Sequence, residues 1–156
     1  MSHPRFAIPA RRMPPRGNPT AWAEAIFKQQ TPAEAEVFRL VNNVRAAFEA
    51  LKSGTTESRH FDRVGAAFNI AMIRASAIDP LCEQTMRLGM DALERCSELF
   101  HRHGRYGFFG GPDRELVNDA IELYAQILAL STPEQMHAAT MEAARRMIAQ
   151  GQEMAS

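Results

Sequence analysis

Proline recurs in this chain directly behind a residue able to cap a helix: Asn18-Pro19, Thr31-Pro32, Asp79-Pro80 and Thr132-Pro133. Proline has no N–H to donate and a fixed φ, so it fits the first turn of a helix and breaks the helix anywhere later. Asn, Asp and Thr side chains accept from the free N–H groups of that same first turn. Each pair therefore marks the start of a helix and forbids a helix that runs through it. "TPAE" from Thr31 and "TPEQ" from Thr132 add Glu34 and Gln135, each placed to reach back to the capping residue.

Behind these starts the apolar residues return at steps of three and four. Val37, Val41, Val44, Phe48 and Leu51 form one stripe, stopped by Ser53-Gly54. Phe61, Val64, Phe68, Met72 and Ala75 form the next, on a helix that begins among Thr55 to Ser58. Cys82, Met86, Gly89, Leu93, Cys96 and Phe100 form a third, which Gly104 ends. Met136, Ala139, Ala143 and Met147 form the last, on a helix expected to fray near Gly151. A shorter helix after Pro19 carries Trp22, Ile26 and Phe27. No segment shows the period-two alternation of a strand, so the predicted fold is all-α. Short connections force sequence neighbours to run antiparallel, which predicts an up-and-down helical bundle of five to six helices. Stacked helical hairpins are the alternative, but the signatures of hairpin repeats are missing.

The chain of 156 residues is long enough to bury a core without metals or disulfides. Its formal net charge is zero, with 46% hydrophobic residues, and no apolar run approaches the roughly 20 residues needed to span a bilayer. The N-terminus lacks the apolar stretch of a secretion signal, and the expectation is a cytoplasmic protein with no membrane association. Charge is unevenly spread. Residues 2–19 hold Arg5, Arg11, Arg12 and Arg16, five prolines and no acid. A flexible Pro/Arg-rich arm over 1–18 is expected, ahead of one helical-bundle domain over 19–151 and a frayed tail over 152–156. Such an arm suits an acidic partner or a nucleic acid.

Chemistry finds little support in the sequence. His101 and His103 beside Cys96 fall short of the four paired ligands of a structural zinc site. Glu134 and His137 are three apart but form a single pair, whereas di-iron bundles need two with further glutamates. Cys82 and Cys96 fall on one predicted helix about 21 Å apart, too far for a disulfide. Both read as reduced, buried thiols, poor as nucleophiles. No catalytic residue, metal or cofactor is expected.

Two features remain. Residues 101–113, "HRHGRYGFFGGPD", read as a wide bend whose glycines turn the backbone and whose Tyr106, Phe108 and Phe109 fold back over the bundle end as a plug; the alternative is that these rings, with Arg102 and Arg105, offer a cation-flanked aromatic surface to a partner. The helix after it carries apolar groups on two adjacent faces, Leu116-Ala120-Leu123-Ile127 and Val117-Ile121-Tyr124-Leu128. The second face needs cover, which predicts a two-fold homodimer around Tyr124 and Leu128. The functional expectation is a non-enzymatic interaction or adaptor protein acting through protein contacts. A nucleic-acid-binding or regulatory protein using the arginine arm is the alternative.

Overall fold

A computed structural model describes residues 32–155. The basic arm with Arg5, Arg11, Arg12 and Arg16, the helix expected after Pro19, and the capping residue Thr31 lie outside the described residues. Within them the chain is helical and contains no strand. The helices are α1 (Pro32–Lys52), α2 (Ser58–Ser76), α3 (Pro80–His103), α4 (Gly111–Leu130) and α5 (Pro133–Ala155). The chain divides into two compact units, Met1–Arg39 and Leu40–Ser156. Of the first, the described part is the opening of α1, where Glu36 and Arg39 pair along the helix. The second holds the rest of α1 and the other four helices.

Local chemistry sets the ends of these helices. The Asp79 side chain accepts from the Leu81 N–H at 2.7 Å and Pro80 follows at the first helical position, so α3 starts where the sequence predicts. α3 stops at Gly104, left-handed at φ 75°, whose N–H donates to the Phe100 carbonyl at 2.7 Å. At α5 the capping box is complete: Gln135 N–H donates to Thr132 Oγ1 at 3.1 Å, and Thr132 N–H donates to Gln135 Oε1 at 2.8 Å. α5 does not stop near Gly151 but continues to Ala155. One interior glycine costs about 1 kcal/mol against alanine, too little to end a helix of this length.

The stripes become the core. Val44, Phe48 and Leu51 of α1, Val64, Phe68 and Ala75 of α2, and Met86, Leu93 and Cys96 of α3 are buried. Cys82, in the first turn of α3, is only half-buried. A Cβ added to Gly65 would lie against Leu93, and one added to Gly89 against Phe68, so α2 and α3 run antiparallel. α3 and α4 do the same: Gly89 faces Ala120, while Arg95, later in α3, meets Asp113, early in α4. The closest approach is at Gly89, where a Cβ would stand 2.4 Å from the Ala120 Cβ and 3.2 Å from the Leu116 carbonyl oxygen. Only a residue without a side chain fits between these helices at this separation.

The broad face of α4 is covered within the chain. α4 packs on α3 and α2, and Arg45 of α1 reaches its Glu122 at 2.9 Å. Val117 and Ile121 are buried, and Tyr124 and Leu128 are each 5% exposed. This corrects the expectation of a two-fold surface at Tyr124 and Leu128, because neighbouring helices occupy that face. α5 turns away from α4 and packs on α2.

The cap at Asp79 yields a direct prediction. Asp79→Ala should lower unfolding stability by about 1 kcal/mol in urea denaturation with an unchanged slope. No change in midpoint would mean that the cap does not hold the start of α3.

Candidate functional site

The connection between α3 and α4 folds back onto the bundle end, the first of the two readings that its sequence allows. Gly104 turns the chain, and Tyr106 N–H then donates to the Thr55 carbonyl at 2.9 Å, tying this connection to the one between α1 and α2. The Tyr106 ring is stacked between Phe100, with centroids 4.5 Å apart, and Phe61, at 5.5 Å. Phe108 meets the Phe48 ring edge-on at 5.7 Å. Arg105 Nε donates to the Gly54 carbonyl at 3.3 Å. Gly54 itself is left-handed at φ 83°, and a Cβ there would press on the Arg105 guanidinium.

Tyr106 is therefore buried, which removes it from any open partner surface, and Phe108 is half-buried, whereas Arg105 stays exposed with its Nε on the Gly54 carbonyl. Aromatic rings are costly to leave in water, and the bundle end offers Phe48, Phe61 and Phe100 to cover them. Arg102 is exposed, and Phe109 remains 54% exposed.

Asp113 does not cap the helix. It lies inside the first turn and accepts two hydrogen bonds from Arg95 of α3, at 2.9 and 2.8 Å. This fork joins the two helices nearly two turns beyond the Gly89–Ala120 contact, and Asp113 raises the Arg95 pKa in return.

Burial pushes the Cys96 thiol up to about 11, with a hydrogen bond from the Gly107 backbone pulling the other way. Among the described residues no group of three or more His, Cys, Asp or Glu is arranged to hold a metal ion.

The opposite side of the molecule carries two features of α5. Its inward residues are small: Ala139 and Ala143 are the buried pair on α2. Its outward Met141 and Ile148 are 57% and 64% exposed. Beside the small pair a cleft of about 410 Å³ opens between α2, α3 and α5, lined by Met72, Ile73, Arg87, Arg146, Met147 and neighbours. The sequence stripe assigned Met72 and Met147 to the core, yet Met72 is half-buried and Met147 is 62% exposed. Two alanines at consecutive inward positions of α5 are the signal for such a gap, since they cannot reach across to fill it.

One carboxylate on α5 serves two cations. Glu142 accepts from Arg145 at 2.9 and 2.5 Å and from Arg146 at 2.7 Å. These guanidinium groups hold its pKa down at about 2.

Comparison with protein-family models, curated proteins and solved structures finds no match for this chain.

Two measurements check this geometry. Tyr106→Ala should cost about 3 kcal/mol, whereas Phe109→Ala should stay within about 0.5 kcal/mol. Equal effects would contradict the placement of Tyr106 between two rings. At pH 8, Ellman's reagent should modify Cys82 in the folded protein and reach Cys96 only as the chain unfolds. Because the folded Cys96 pKa lies above its ordinary value of 9.0, its contribution to stability is constant below pH 9 and declines as pH rises toward 11. A thiol at Cys96 that reacts as fast as Cys82 would contradict the burial.

Proposed function

We propose that this chain is a non-enzymatic interaction protein that acts through protein contacts, and that the outward face of α5 is its contact surface. The observation that carries the reading is the exposure of Met141 and Ile148 on a helix whose buried residues, Ala139 and Ala143, are small. At 100° per residue, Met141, Ala144, Ile148 and Gly151 share one face of α5, at steps of three and four. Methionine at such a surface adapts to the shape of what it meets.

The spacing also suits a second copy. In an antiparallel pair of α5 helices related by a two-fold axis at the level of residue 146, Met141 stands opposite Gly151 of the other copy, and Ile148 opposite Ala144. Each large group meets a small one, and the contact closes on itself as a two-fold dimer requires. This relocates the homodimer from α4, whose broad face is already covered, to α5.

Gel filtration with light scattering at micromolar concentration tests the proposal. The expected mass is twice that of the 17.4 kDa chain. Met141→Lys with Ile148→Lys should halve it without lowering the melting temperature, since both side chains are exposed. A monomeric mass for the unaltered protein, or a dimer that survives both substitutions, would overturn the assignment of this face.

A further inference from the structure

We propose that the cleft between α2, α3 and α5 binds a small amphipathic anion, a medium-chain carboxylate, whose charged end meets Arg87 and Arg146 and whose chain lies on Met72, Ile73 and Met147. The size fits. At about 410 Å³ the cleft falls within the range of small-molecule sites, roughly 300–1,000 Å³.

The lining is unbalanced in charge. Two guanidinium groups, Arg87 and Arg146, border the cleft, and Glu83 is the one carboxylate among the lining residues. Glu83 accepts from Arg87 at 3.1 Å, a contact between exposed groups within one helix. Such pairs contribute little, so an incoming carboxylate competes with a weak partner. Arg146 is supplied from outside the lining, by Glu142, which it shares with Arg145. One carboxylate between two guanidinium groups leaves this stretch of α5 with an excess of positive charge beside the cleft. Arginine stays charged at any ordinary pH and presents a planar fork that matches a carboxylate.

The rest of the wall is apolar or neutral. Asn69, Met72 and Ile73 come from α2 and Met147 from α5. Unbranched methionines adjust to a flexible alkyl chain at small cost. Met147 borders the Met141 and Ile148 face, whereas Arg146 stands nearly opposite it around α5, so the charged end of the site is separate from that face.

Titration of the full chain with octanoate, followed by amide chemical shifts, tests the proposal. Saturable shifts should centre on Asn69, Met72, Arg87 and Met147. Arg87→Gln with Arg146→Gln should weaken the affinity at least tenfold while leaving the far-ultraviolet spectrum and melting temperature unchanged. Octanol, of equal length and without charge, should bind at least tenfold more weakly than octanoate, and so should acetate, which lacks the chain. Octanol binding as tightly as octanoate would overturn the role of the arginines. Acetate binding as tightly would overturn the role of the apolar wall, and shifts that never saturate or scatter over the surface would overturn the site.

Discussion

The contact between Gly89 and Ala120 sets the separation of α3 and α4, and the core depends on that separation. With the position of a Gly89 Cβ only 2.4 Å from the Ala120 Cβ, the two backbones stand closer than any other residue at 89 would allow. That proximity brings Phe68 of α2 against the same point and lets Leu93, Val117 and Ile121 become fully buried. A glycine inside a helix costs about 1 kcal/mol relative to alanine. The burial of a single leucine or isoleucine side chain, about 1.5–3 kcal/mol, more than offsets it. Further along, the Arg95–Asp113 fork fixes the register of the same two helices.

From this pair the other features follow. α4 sits close to α3 and is also met by α2 and by Arg45 of α1, so both of its apolar faces are used. The wide connection from Gly104 to Gly110 has to span the ends of two tightly packed helices, and its aromatic residues close that end of the bundle. α5, left without a place on α4, packs on α2 through two alanines. The result is a helix with work available on two sides: an outward apolar face, and an inward edge bordering a cleft with unbalanced charge.

What the sequence made legible were the features written in local chemistry. Asp79, Pro80 and Gly104 bound α3, Thr132 and Gln135 open α5, and the stripes on α1 to α3 name their buried faces. What stayed hidden was which partner each face meets. Periodicity reports that Tyr124 and Leu128 lie on an apolar face, but not that α1 and α2 come to flank that helix. Likewise nothing local marks Asp113 as the partner of Arg95, and only the fold brings the two together. The cost of exposing Tyr106 and Phe108 is legible, but the rings that cover them are not, because Phe61, Phe100 and Phe48 lie far away in the chain or across a bend. The cleft escaped notice for a related reason: its walls come from three helices, and only the consecutive small residues on α5 hinted at it.

A double-mutant cycle at the α3–α4 contact, read by chemical denaturation, tests the account most directly. Gly89→Ala should destabilise by about 1–3 kcal/mol despite the gain in helix propensity, because the added methyl group collides with Ala120. Ala120→Gly alone should cost about 1 kcal/mol or more. The double variant should be more stable than the sum of the two changes predicts, because Ala120→Gly removes the collision. If Gly89→Ala instead stabilises the protein by about 1 kcal/mol, as at an open helix position, or if the two changes simply add, the close approach of α3 and α4 is wrong.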